Sequence, residues 1–317
     1  MNMSKNEATT CNHNVPSPSR LYHLEPIGIG TPFVESYSSY LTRVAHAHLL
    51  AAPDLVKHVI SPEITDLVTA RNKTPNKSYK LSWVVNGLST STEVWIEALS
   101  NLTLRDDLAW TTLLRFRQVF SERKLLREEK AWCPHCFDRW KNEGLPIYEP
   151  LLWMIAQVHA CPEHRTFLLC SCPHCGEDMP LHKATKAIGL CRKCGNWLGD
   201  DGRFRRDPTD EHLRYATAIG ELLAHVPCCK EIALNTSIPH LLDYLVERRT
   251  KGSEIGLAKL VRIKQIYIGD WRQGKYLPPL GAVARICRFF NLSLREAVLG
   301  EIGGEQQLIR LQMNMDH

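Results

Sequence analysis

No run in the 317-residue chain approaches the roughly eighteen consecutive apolar residues of a membrane span. The longest candidate, Leu151 to Val158, covers eight positions and reads as a buried helix or strand. A leader of basic and then apolar residues is also missing, and Met1 to Arg20 is polar and Ser/Asn/Thr/Pro-rich instead. Excess charge is scarce: 39 Lys and Arg stand against 34 Asp and Glu, a formal +5, so whole-chain charge gives no argument for a nucleic-acid partner. Twelve cysteines are far too thinly spread for the disulfide framework of a small secreted scaffold. Catalytic signatures are lacking as well. No Ser/His/Asp set or paired-carboxylate site stands out, and neither a His-His nor an Asp-His pair of the kind a metal nuclease uses falls between Cys133 and Cys194. Gly269 to Lys275 nearly spells a phosphate-binding loop, but Tyr276 replaces the Ser or Thr that would hold magnesium, and no strand precedes it. These absences point to a cytoplasmic protein with no membrane contact and no enzymatic activity, long enough for two or three domains.

What is present is concentrated cysteine. Four knuckles occur: Cys133-Pro-His-Cys136, Cys161-Pro-Glu-His164, Cys172-Pro-His-Cys175 and Cys191-Arg-Lys-Cys194. A C-x2-C or C-x2-H turn aims two ligands at one ion, and two such turns close a tetrahedral structural site with no open position for catalysis. Paired in sequence order, Cys133, Cys136, Cys161 and His164 form one zinc site and Cys172, Cys175, Cys191 and Cys194 a second; interleaved pairing also satisfies the spacing. The fifteen residues between Cys175 and Cys191 suit a zinc ribbon, whereas the longer insertion after Cys136 must carry structure of its own. His135 and His174 sit inside knuckles and are expected to point outward. Gly176 and Gly195, each just after a knuckle, suit a left-handed turn. Cys11, Cys170, Cys228, Cys229 and Cys287 read as unpaired thiols.

Apolar residues at helical spacing predict a helix from Glu35 to about Leu49 that Pro53 ends, a second over Thr92 to Leu102, and a third over Trp110 to Lys130 with a solvated charged face. Leu151 to Val158 is expected as a helix leaning the first metal site onto the N-terminal helices. Beyond Arg206, Thr209 or Asp210 caps a further helix that Pro227 stops, and Ser237 with Pro239 opens another. From Arg248 to Arg288 ten Lys and Arg stand against Glu254 and Asp270, so the basic charge is local.

Two resemblances follow from these residues. Trp132-Cys133-Pro-His-Cys136, Tyr148-Glu-Pro-Leu-Leu-Trp153, His159-Ala-Cys161-Pro-Glu-His164 and Cys172-Pro-His-Cys175-Gly176 resemble, in order and spacing, the TniQ/TnsD family of transposon target-selection proteins. Glu35-Ser36, Ser39-Tyr40-Leu41 and Arg43-Val44-Ala45 are similar to that family's opening motif, so the likeness covers about residues 24 to 200. Arg165 departs from the glycine usual after the C-P-x-H knuckle. The second stretch, Leu257 to Lys275 followed by Pro278 to Leu294, resembles a helix-turn-helix of the Cro/repressor type. There Leu257, Ala258 and Val261 bury the first helix, and Ile263, Ile268 and Trp271 the second. Lys264 opens the recognition helix, and Gln265, Tyr267, Arg272 and Lys275 are available to bases or phosphates. Arg262 replaces the turn glycine, while Ile266, Gly269 and Asp270 occupy positions where polar or basic contacts are usual, so the same surface also suits protein docking.

The resemblances imply a mainly α fold: a helical N-terminal region, two zinc-ribbon-like knuckle modules, and a C-terminal helical domain containing the helix-turn-helix. The expected divisions are a flexible tail (1–22), the helical part of the TniQ-like domain (23–131), two zinc modules (132–200), a helical connector (207–249), the helix-turn-helix domain (250–300) and a tail (301–317). The implied function is bacterial transposon target-site selection, engaging double-stranded DNA directly or through a CRISPR RNA-guided effector complex, as a possible homodimer, and recruiting an AAA+ ATPase. A DNA-binding transcription regulator is the alternative.

Overall fold

The structure, a computed structural model, describes residues 18–71, 84–180, 187–199, 207–225 and 234–302. Over these residues the chain is mainly α, with one two-stranded antiparallel ladder. Helix α1 (Tyr37–Ala47) is capped by Ser36, whose hydroxyl accepts the Ser39 amide, and buries Tyr37, Tyr40, Leu41 and Val44 on one face. Pro53 does not end it. The helix stops at His48, and Pro53 sits in the first turn of α2 (Ala52–Leu55), where a missing N–H costs nothing. A π turn, Val56–Ile60, leads into α3 (Ser61–Ala70), against which α4 (Thr90–Thr103) packs. These helices enclose a core of their own that includes Leu21, whose amide donates to the Leu102 carbonyl at 2.8 Å. Arg20 to Tyr22 therefore belong to the fold and not to a tail; residues 1–17 and 303–317, Cys11 among them, lie outside the described residues.

The helix expected over Trp110 to Lys130 is not formed. Two 3-10 turns, Leu108–Thr111 and Leu114–Phe116, give way to irregular chain. The Thr111 and Thr112 hydroxyls donate to the Leu108 and Ala109 carbonyls at 2.6 and 3.0 Å, and the Leu114 amide donates to the Thr112 hydroxyl at 3.2 Å. Side chains thus take partners that an α-helix would use. Two of the charged side chains assigned to a solvated face turn inward instead. Arg115 donates to the Leu223 carbonyl at 2.7 Å and lies 4.7 Å over the Trp110 ring. Arg127 reaches inward to the Ile155 carbonyl at 3.1 Å and to the Val158 carbonyl. Both cations tie segments together from within.

Of Leu151 to Val158 only Leu151–Met154 is helical, as a 3-10 turn. The backbone of this run is satisfied across the fold: Leu151 N–H donates to Val34 at 2.8 Å, Ala156 N–H to Leu125 at 2.9 Å, and the Met154 carbonyl accepts from Arg127 at 3.0 Å. Leu151 to Ile155 and Val158 are all buried, so no polar face stamped a period on the sequence. They also belong to the larger core with the C-terminal helices, not to the N-terminal one.

That larger core runs unbroken from the cysteine clusters to the last helix. It contains α6 (Asp210–His225), α7 (Leu234–Thr250), α8 (Glu254–Val261), α9 (Gln265–Arg272), α10 (Leu280–Phe289) and α11 (Leu294–Leu299). Helix α7 packs on α8, α9 and α11, and α6 packs on α11. Helices α6 and α7 accordingly lie in the same core as the last four helices. Helix α7 begins before Ser237 and carries Pro239 inside it, a correction to its expected start. Pro227, Cys228 and Cys229 lie outside the described residues.

Hydrogen bonds to and from Glu149 join the start of α1 to the metal-bearing half. Ser36 N–H donates to the Glu149 carbonyl at 2.9 Å, and Glu149 N–H donates to the Ser39 hydroxyl at 3.0 Å. Beside them the fully buried Glu35 carboxylate accepts from Arg43 at 2.5 Å, from the Ser39 hydroxyl at 2.8 Å and from the Ile27 amide at 3.2 Å. The Glu35, Ser39 and Arg43 pattern of the opening motif is thus a single polar node, with every member bonded.

Candidate metal centres and recognition surface

Trp132 and Leu169 exchange backbone hydrogen bonds at 3.0 and 2.8 Å, and strand β1 (Ala160–Cys161) pairs with β2 (Thr166–Phe167). This ladder brings the first two knuckles together. Cys133 caps α5 (Pro134–Asn142), with Pro134 at the first helical position, so this knuckle runs directly into the helix that the long insertion had to supply. Nδ1 of His164 lies 3.6 Å from Cys133 Sγ, 3.3 Å from Cys136 Sγ and 3.6 Å from Cys161 Sγ, and the Cys136 and Cys161 sulfurs are 3.8 Å apart. In the second cluster the Cys172 and Cys194 sulfurs are 3.8 Å apart, and those of Cys175 and Cys191 3.7 Å apart. A tetrahedron with about 2.3 Å metal–sulfur bonds has edges of about 3.8 Å, shortened to about 3.6 Å where an imidazole nitrogen at about 2.0–2.1 Å replaces a sulfur. A disulfide would require about 2.05 Å. The donor atoms of each set lie within 4.8 Å of one another, so the knuckles pair in sequence order and not interleaved, and both clusters could hold a metal ion. His135 and His174 stand outside the two sets.

Charge reinforces the geometry in the first, buried cluster. Hydrogen bonding with Cys133 and Cys136 draws the Cys161 thiol far below its ordinary range, while contact with Cys133 and Cys161 holds Cys136 far above it. Three thiols this close cannot ionise together without a counter-charge, and a divalent cation supplies one.

The second, third and fourth knuckles end alike. The residue after the last donor turns its N–H back to the carbonyl of the first: Arg165 to Cys161 at 3.0 Å, Gly176 to Cys172 at 2.9 Å, Gly195 to Cys191 at 3.0 Å. All three are left-handed, with φ of 51°, 68° and 72°. Arg165 therefore keeps the glycine conformation without being glycine, and Arg262, at φ 53°, does the same between α8 and α9. A side chain in this region costs about 1–2 kcal/mol. Arg165→Gly and Arg262→Gly are each expected to stabilise the fold by about 1 kcal/mol, part of the relief being offset by the flexibility of glycine in the unfolded chain; denaturant midpoints measure it.

Helices α8 and α9, joined by the Arg262 to Lys264 turn, present the expected helix-turn-helix residues. Leu257, Ala258, Val261, Ile268 and Trp271 are buried, and Ile263 partly so. Lys264 caps α9 and is exposed, as are Gln265, Tyr267 and Lys275. Tyr267 stacks on Trp271 with centroids 6.1 Å apart. Arg272 is different. Its guanidinium is bonded to Asp243 at 2.8 and 2.9 Å and to Glu254 at 2.9 Å, so it anchors α9 to α7 and α8 and is not free for a ligand. Ile266, by contrast, is 67% exposed on the same helix. Nothing in the local sequence announces the Asp243 pairing, because Asp243 lies in what read as a separate connector.

Two closed four-donor clusters in a mainly helical chain, one buried and one with Cys175 and Cys194 exposed, define a helical protein whose middle is built around structural metal-type sites. Residues 26–168 match the model of the TniQ family, a similarity that points to transposition. The matched span holds the Glu35 node and the whole first cluster, and stops before the second. No curated protein matches the chain. No helix among the described residues is long and apolar enough to cross a membrane.

Proposed function

We propose that this chain is a target-site selection adaptor of a transposon: it engages target DNA, directly or by riding on an RNA-guided complex, and recruits an AAA+ ATPase that brings the transposase. The TniQ match across residues 26–168 carries this reading. Each cysteine cluster holds one zinc ion in a structural role, a donor set of soft thiolates and one imidazole being what zinc prefers. The ions supply folding energy, and the chain's own surfaces supply recognition. Lys264, Gln265, Tyr267 and Lys275 on α9 form the candidate reading surface. Losing Arg272 to an internal ion pair leaves that surface less cationic than a typical recognition helix, while exposed Ile266 suits a contact that is partly apolar.

The test maps insertions of a mini-transposon with its transposase and ATPase, with and without this protein. Targeted insertion that disappears without the chain, and weakens with Lys264→Ala plus Lys275→Ala at unchanged zinc content, is the expected result. An insertion pattern indifferent to the protein would overturn the reading.

A further inference from the structure

A cleft of about 420 Å³ opens where the metal-bearing half meets the C-terminal helices, away from the α9 surface. Its cations come from distant parts of the chain: Arg123 and Lys124 from the irregular segment after the 3-10 turns, and Arg285 from α10. All three side chains are exposed, and none makes an ion pair among the described residues. His159 and His212 complete the polar wall, their rings edge to face at 5.8 Å. The one acid in the lining, Glu211, is paired with Arg288 at 3.1 Å.

The cleft is held in shape from both sides. Ser121 N–H donates to the Pro278 carbonyl at 2.9 Å, fixing the Arg123 segment against the start of α10. Gln157 donates to the Lys124 carbonyl at 2.8 Å, and Lys124 itself is left-handed at φ 53°. The same Gln157 side chain lies 3.2 Å from where a Cβ on Gly281 would be, so the first turn of α10 approaches as closely as a glycine permits. That turn faces the cleft through Pro279, Gly281 and Ala282, adding the positive end of a ten-residue helix to the three side-chain cations.

We propose that this cleft binds the phosphodiester backbone of a nucleic acid. Cations that make no ion pair among the described residues, on two joined walls with a helix N-terminus between them and an open mouth, fit a chain of phosphates; contacts to phosphates position the nucleic acid and carry no sequence information. The inference rests on the adaptor reading only in supposing that nucleic acid is near this protein at work. Duplex DNA and the RNA of a guide complex share the recognised chemistry.

The experiment uses the full zinc-loaded chain and two probes, a random-sequence DNA duplex and an RNA hairpin, in fluorescence anisotropy over a potassium chloride series. Arg123→Gln with Arg285→Gln is expected to weaken the bound probe at least tenfold at low salt, equally for unrelated sequences, and to flatten the slope of log K against log salt by about two, one phosphate contact being worth about 0.9 on duplex DNA and about 0.7 on single strands. Binding to one probe alone identifies the source of the phosphates. In the unmodified chain, acetylation of Lys124 should slow when that probe is present while that of Lys57 does not. A slope unchanged by the double substitution, Lys124 labelling indifferent to the probe, or binding to neither probe overturns the cleft assignment. None of these touches the adaptor reading, which stands or falls with the insertion map.

Discussion

Cys136→Ser is expected to remove one zinc ion and the fold of the central region together. Cys133, Cys136 and Cys161 are fully or nearly fully buried and lie in the same core as Phe137, Trp140 and Trp153, so an empty first cluster leaves uncompensated thiols and a hydroxyl inside packed apolar chain. A structural zinc contributes on the order of 10 kcal/mol or more, comparable with the about 5–15 kcal/mol that holds a whole domain. The variant should lose metal by mass spectrometry, lose its cooperative thermal transition and become insoluble. Cys194→Ser provides the contrast. Its thiol is exposed, in a cluster where Cys175 is exposed as well, so the second ion should be lost with the main transition retained. Full retention of two ions by both variants would refute the ligand assignment.

Arg43→Ala is expected to cost about 3–5 kcal/mol, the usual penalty for stripping one partner from a buried ion pair. Glu35 remains fully buried with only the Ser39 hydroxyl and the Ile27 amide to satisfy it. Burial already holds its carboxyl above the ordinary range, and the Arg43 charge is the first influence opposing that rise. Removing Arg43 raises it further, so the folded variant binds a proton more tightly than the unfolded chain does. The deficit is therefore smallest in acid, below the ordinary carboxyl range, and widens as pH rises through the raised value. Urea midpoints across pH measure this, and adding Glu35→Gln should recover part of the loss. A deficit flat across pH would show that packing, and not the stranded carboxylate, sets the cost.

What the sequence made legible was local. Knuckle spacing located all eight candidate metal donors because a C-x2-C turn is a property of four residues, and the amphipathic periods of α1 and α4 marked helices that have one wet face. Trp110 to Lys130 misled for the opposite reason. Arg115 and Arg127 look like surface charge in one dimension, yet they donate to carbonyls contributed by residues 223, 155 and 158, and nothing within a helical window reports such partners. Leu151 to Ile155 and Val158 are all buried, so the run kept no period to read. Arg272 looked available because the acids that hold it lie 29 and 18 positions away. The basic cleft was invisible for the same reason: residues 123, 159, 212 and 285 become neighbours only after folding.

At the seam, Phe116, Phe120 and Leu125 interlock with Ile219, Leu222 and Leu280 around an enclosed gap, while the Arg115 bond to Leu223 crosses beside it. Exchange of the last helices between related chains would tear this interface open and leave an oily scar on both pieces. Point changes on the outside of α9 leave this interface closed, whereas a transplant that keeps it intact has to carry everything from the cysteine knuckles onward as one inheritance unit.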